Sequence, residues 1–511
     1  MGINRRSFIK QSNCAAIGTA SLYSTLFTLR MTAGATTNLS GYKALVCLFL
    51  NGGNDSYNML MPYDWTGWAG YRDSRGGVGT NTSGFKDSSL GTGVAIDRNA
   101  LSNTILNTVS NQNYSSYAVH PQLPFLQQQF NNNNLAFVAN VGTLVEPMTI
   151  SDWQNNSKQL PTGLFSHPDA QMHWQTLKPQ TRGATPKGWG GRLADVMTQA
   201  NLNTSIGLNI SIAGNNTMQL GNNTLPYITS PAGATLLHKY DGYEGDPLMK
   251  TAIDSILQGT YPNMFNKTYS NNQKSAVETA ETFGAALDAQ SLNSSIPNTV
   301  VNNYSKNKTA EQLAGVIKIL KARNTLGMNR QMFFVEKGGF DHHNEVLDAQ
   351  GGIAYPNNNN NDGANGLFYE INEALEFFWN ELVAEGLEND VMLFTVSDFG
   401  RTLTSNGKGT DHAWGGNAFI MGGSNNNGGS LKGGQIYGQY PELTPNNNSI
   451  DLDAHKNQSR GRMLPTTSAD EYLAELVSWF GLDPAQLSTV FPNCTGFFNP
   501  LTTPYPLGIL N

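Results

Sequence analysis

Acids, histidines and an arginine recur where apolar runs of this chain end. Asp55 follows residues 43–50 (KALVCLFL) after an Asn51-Gly52-Gly53 break. Asp341 and His343 follow residues 331–335 (QMFFV) and the pair Gly338-Gly339. Asp398 and Arg401 follow residues 391–396 (VMLFTV), and Asp411-His412 precede residues 418–421. If brought together, Asp55, Asp341 and Asp398 would repel and raise one another's pKa, which a divalent cation relieves. His343 and His412 are the natural nitrogen partners. Mixed Asp/His ligation suits zinc or manganese, with calcium or magnesium as oxygen-preferring alternatives. One such ion would polarise a substrate, and two about 3.5–4 Å apart would clamp a phosphoryl or sulfuryl group. Arg401 could hold the oxyanion in a bidentate way. One Asp after one strand is more simply a helix cap. Three of them with two histidines read as a site.

The elements that must position these residues are legible as well. Continuous apolar runs such as 43–50, and 135–141 (LAFVANV), suit strands buried on both faces of a parallel sheet. Helical periodicity alternates with them, best at 367–385, where Phe368, Ile371, Leu375, Phe378 and Leu382 recur at three- and four-residue spacing. Ser468-Ala469-Asp470-Glu471 reads as a capping box opening a helix through Trp479, stopped by Gly481. The class is therefore α/β: a doubly wound, mainly parallel sheet with helices on both faces. Ligand crevices in such sheets lie at the carboxyl ends of the strands. Runs 43–50, 331–335 and 391–396 are expected as parallel neighbours. That would make Asp55, Asp341 and Asp398 converge with His343 and His412, with Arg401 facing the open side. Polar stretches at 76–110, 201–229 and 424–458 read as excursions on one elaborated domain, 36–511.

Composition excludes several function classes. The 511 residues carry a net charge of −7, without the basic field that nucleic-acid binding needs. Charged residues are 14%, against about 25% usually, so the polar surface is amide and hydroxyl. Three cysteines, Cys14, Cys47 and Cys494, exclude a disulfide framework and a four-thiolate zinc site. The chain opens Asn4-Arg5-Arg6-Ser7-Phe8-Ile9-Lys10, turns apolar over 14–29 and reaches Ala33-Gly34-Ala35. Residues 1–35 thus read as a secretory signal that resembles the twin-arginine type, read by the twin-arginine export machinery. Its apolar stretch falls short of the roughly 20 residues a spanning helix needs. A periplasmic or secreted protein is expected, with no stable membrane span once the signal is removed.

The motif set Gly52-Gly53-Asn54-Asp55-Ser56, Gly338-Gly339-Phe340-Asp341-His342-His343, Ser397-Asp398-Phe399-Gly400-Arg401 and Asp411-His412, with the paired arginines, resembles domain-of-unknown-function family 1501. The resemblance runs from about 43 to 481. It implies an exported, sulfatase-like protein related in fold to alkaline phosphatases and phosphoglycerate mutases. Carried over, Asp55 is the first-strand metal acid, Asp341 and His343 the Asp/His pair, and His412 the final histidine ligand. Asp398 matches the acid of an Asp-His dipeptide whose histidine is here Phe399, which leaves a second ion short of a ligand. The superfamily nucleophile follows the second strand at a helix start. Ser166 is the best match, Ser56 the weaker one, and a capping role the simpler reading of Ser166. No cysteine begins a Cys-x-Pro-Ser-Arg motif, so a formylglycine sulfatase is not expected. His167 and His173 are read as bordering the crevice, and His120 as structural. Together these readings imply an exported metal-dependent hydrolase of phosphate or sulfate esters, acting on an anionic, carbohydrate-linked ester. The alternative is a catalytically silent exported binding protein that keeps the fold.

Overall fold

The computed structural model describes residues 39, 41–75, 93–183, 186–203, 206–233, 240, 248–298, 307–343, 346, 366–406, 409–443, 449–454 and 460–511. The signal-like segment 1–35 lies outside them. Among the described residues nine strands build the main sheet: β1 (Lys43–Asn51), β2 (Leu135–Gly142), β3 (Asn209–Ser211), β4 (Tyr227–Ile228), β5 (Arg330–Gly338), β6 (Val391–Ser397), β7 (Gly416–Met421), β8 (Ile436–Tyr437) and β9 (Thr467–Ser468). Their order is β8-β2-β7-β6-β1-β5-β3-β4, with β9 paired to β2.

The unbroken apolarity of β1 has a direct cause. Ala44, Val46, Leu48 and Leu50 point into one core and Leu45, Cys47 and Phe49 into the other. Helices α1 (Pro124–Asn131), α4 (Lys308–Lys321) and α5 (Leu367–Ala384) cover the first face. The second is covered by α3 (Trp189–Val196) and α6 (Ala469–Phe480), with Trp174 from α2 (His167–Thr176) packed among them. All five apolar positions expected on the inner side of α5 are buried. The Ser468–Glu471 capping box forms both of its hydrogen bonds, and α6 ends on Gly481 at φ +106.

As expected, β5, β1 and β6 are parallel neighbours. Their register pairs Leu50 with Ser397 and Asn51 with Gly338, so the three strands end level. The sheet is mixed, however. Strand β7 lies antiparallel between β6 and β2. An antiparallel strand starts at the edge where its neighbours finish. That is why His412, which precedes its strand, arrives at the same edge as residues that follow theirs.

Candidate metal centre

Level strand ends bring the connecting turns into contact. Gly52, at φ +116, lies so close to the turn after β5 that an added Cβ would stand 2.5 Å from the Asp341 nitrogen. Its own N–H donates to Asp398 Oδ1 at 3.1 Å. Glycine there lets two strand-end turns pack against each other.

Three imidazoles meet above this floor. His167 opens α2, and its Nδ1 lies 2.8 Å from Asp398 Oδ2. His412 Nδ1 lies 2.7 Å from the Phe165 carbonyl, and His343 Nδ1 is 3.2 Å from Asp411 Oδ1. A carbonyl or an ionised carboxylate can only accept, so each Nδ1 carries the hydrogen. In a neutral imidazole the other nitrogen then holds a lone pair. Those Nε2 atoms converge on one oxygen: Asp341 Oδ1 is 3.3 Å from His167, 3.2 Å from His343 and 3.4 Å from His412. His343 and His412 also bring their Nε2 atoms to 2.8 Å. Two lone pairs at that distance repel unless a cation lies between them and the carboxylate. The buried His167 Nε2 makes no hydrogen bond.

The spacing fits an ion. Ligands about 2.0–2.1 Å from a metal lie about 3.3 Å apart around a tetrahedron and about 2.9 Å apart at adjacent octahedral corners. The ligand atoms of His167, Asp341 and His412 all lie within 4.8 Å of one another and could coordinate a single metal ion. Imidazoles that give Nδ1–H to an oxygen and Nε2 to a metal are a recurring arrangement, with the oxygen fixing tautomer and ring direction.

Protonation tendencies divide the three rings, favouring neutral His343 and His412 and the charged form of His167 while no ion is bound. Burial lowers the pKa of His343, helped by the nearby charge of Arg401. Burial also lowers that of His412, against the hydrogen bond to Phe165. Both shifts favour the neutral ring. The hydrogen bond to Asp398 raises His167, against burial. Burial pushes Asp341 up, but the hydrogen bond and charge of Arg401 outweigh it and hold this acid at about 2.

Several expected placements are corrected. Asp398 does not aim at the cluster: Oδ1 takes the Gly52 N–H, and Oδ2 takes His167 Nδ1 and, at 3.0 Å, Gln171 Nε2. It orients His167. Asp55 is buried and turned to the equally buried guanidinium of Arg75. Arg401 does not face the open side. It is fully buried and donates to the carbonyls of Gly52, Gly53, Phe340 and Thr410, and to Asp341 Oδ1 at 2.5 Å. Each of the three strand-end acids thus already has a cationic or imidazole partner, so the mutual repulsion expected of them is largely relieved. Phe399 packs its ring on His167 and His412, at 4.8 and 4.4 Å between centroids.

Ser166 occupies the N-cap position of α2, between Phe165 and His167, which both touch the cluster. Its hydroxyl bonds Asp169, whose carboxylate is paired with Arg182. Ser56 is buried and its Oγ accepts from the Asn417 N–H at 2.9 Å. Sequence reasoning treated His167 as a bordering residue and missed Asp411, which supports His343 while Arg460 holds its other oxygen. Signals for both existed: a Ser-His-Pro-Asp helix opening, and an acid directly beside His412.

Comparison with known proteins adds a family and little more. The chain is similar to a solved structure described as Ps i-CgsB at 11% identity, over 83% of this chain and 75% of that one, with a TM-score of 0.30. It is similar to the PsFucS1 sulfatase from Pseudoalteromonas sp. at 9% identity, over 84% of this chain and 70% of that one, with a TM-score of 0.27. Likenesses at that level carry no argument about chemistry. No curated protein matches the chain. A family model described as "Protein of unknown function (DUF1501)" does match, over residues 42–456, and the chain belongs to that family.

Proposed function

We propose that the protein is an exported hydrolase of phosphate or sulfate esters that works with one divalent ion, zinc or manganese. The observation that carries this is the convergence of three histidine Nε2 atoms on Asp341 Oδ1. His167, Asp341 and His412 would hold the ion, with His343 as the fourth ligand. When bound, the ion supplies Lewis-acid polarisation of an ester oxygen. Asp398 and Asp411 keep His167 and His343 in the tautomer that presents Nε2. Arg401 ties the Gly52, Gly53 and Phe340 carbonyls beneath Asp341 and so fixes that carboxylate. It acts by positioning and not as an anion clamp.

Ser166 is the proposed nucleophile, because it stands between two residues that touch the cluster. Asp169 accepts its hydrogen bond and, held by Arg182, stays ionised. Export follows from the paired Arg5 and Arg6. Among the described residues no helix is long and apolar enough to cross a membrane.

The test is metal content and turnover measured together. Mature protein reconstituted with zinc or manganese should bind one equivalent and hydrolyse 4-nitrophenyl phosphate or sulfate, and Asp341→Ala should lose both properties. Two equivalents would overturn the single-ion reading. Bound metal without turnover of either ester would favour the silent binding protein.

A further inference from the structure

Helix α2 has a second side. His167 reaches the cluster, while Gln171, Met172 and Gln175 line a groove of about 710 Å³ together with Asn215, Leu225, Ile228 and Glu336. That is far more space than a phosphate or sulfate group fills, and it lies in the range of sites that enclose a sizeable organic ligand. The groove is wired to the cluster. Asn51 Nδ2 donates to Glu336 Oε1 at 2.8 Å, Gln171 Nε2 donates to Asn51 Oδ1 at 2.8 Å, and the same nitrogen reaches Asp398, which holds His167.

The chemistry of the lining selects an occupant. Among the described residues its lining contains no Lys, Arg or His and one carboxylate, Glu336. A polyanionic chain would meet that carboxylate and a net charge of −7 with no cation among the described lining residues to offset them. With Gln171 Nε2 engaged by Asn51 and Asp398, and Gln175 Oε1 by the Thr217 and Met218 N–H groups, Gln171 Oε1, Gln175 Nε2 and the Asn215 amide offer hydrogen bonds to hydroxyls. Leu225, 72% exposed, and Ile228, 41% exposed, offer an apolar surface to C–H faces. Hydroxyls at the edge and C–H groups on the face describe a sugar ring. We infer that the groove binds the uncharged glycan part of the ester substrate, so that the enzyme acts on sparsely esterified neutral chains and discriminates against densely charged ones. This rests on the hydrolase reading and adds the substrate class to it.

The experiment uses the metal-loaded mature protein and three probes: 4-nitrophenyl phosphate or sulfate, a neutral hexasaccharide carrying one such ester, and the same hexasaccharide fully sulfated. The singly esterified chain should exceed the small aryl ester in kcat/KM by about tenfold or more, and the fully sulfated chain should fall below it. Leu225→Asp should remove the advantage of the neutral chain and leave the aryl-ester rate unchanged. Asn215→Lys with Leu225→Lys should raise the rate on the sulfated chain. Aryl-ester turnover with the sulfated chain preferred, or with Leu225→Asp lacking any effect on the neutral chain, overturns the inference while the hydrolase reading stands. No turnover of any probe overturns both.

Discussion

Replacing Asp398 by Asn separates two roles that the same residue could play. As a ligand it would bind the ion itself; as a support it acts only through His167. Its two oxygens accept three donors: the Gly52 N–H at 3.1 Å on Oδ1, and His167 Nδ1 at 2.8 Å with Gln171 Nε2 at 3.0 Å on Oδ2. An amide keeps the shape but turns one acceptor into a donor. In one flip its NH2 faces Gly52, and in the other it faces His167 and Gln171. Either way a buried donor loses its partner, which costs about 1–3 kcal/mol. Loss of such a support typically weakens metal binding by about 10–100-fold, or about 1.4–2.7 kcal/mol. The assay is competition for zinc and manganese against a chromogenic chelator, run on wild type, Asp398→Asn, His167→Ala and the double variant. If Asp398 works through His167 alone, its replacement costs nothing further once His167 is gone. An equal loss on both backgrounds would show that Asp398 binds the ion directly. No loss on the wild-type background would refute the positioning argument itself.

Two other expectations concern distant parts of the chain. Burial, reinforced by Glu471 and opposed by Arg192, pushes Asp470 up to about 8 at the start of α6. The native state therefore holds a proton that the unfolded chain releases near pH 4, so stability is full below that pH and declines as pH rises towards about 8. Asp470→Asn should flatten the fall of Tm between pH 5 and 8, and an undiminished fall in the variant would count against this. Arg5→Lys with Arg6→Lys should leave the precursor in the cytoplasm, since paired arginines are a receptor-read address. Mature protein appearing outside in unchanged amount would remove the twin-arginine reading.

The strands and helices were legible because burial on two faces leaves a local signature. Run 43–50 is apolar without a break since odd and even positions of β1 enter different cores. The five apolar positions of α5 and the capping box of α6 are equally local. Asp341, His343 and His412 were legible for a related reason: each lies within a few residues of a strand end, and level strand ends share an edge.

What the sequence by itself determined, then, was which residues reach that edge; which way they turn there was decided by tertiary structure. Asp398 looked like a ligand and became the support of His167, a difference set by which oxygen meets which nitrogen across turns 231 residues apart. Arg401 looked like an anion clamp, but four carbonyls of neighbouring turns form a cradle that no local pattern encodes. Asp55 found Arg75, and His167 entered from a helix that follows no strand end, docked across β6 by Gln171 and Asp398. Strand order along the chain says nothing about direction, so the antiparallel β7 that delivers His412 also had to be seen. Periodicity records burial, which each residue experiences alone. Hydrogen-bond direction and ion pairing belong to pairs of residues far apart in sequence, and only the folded chain brings those pairs together.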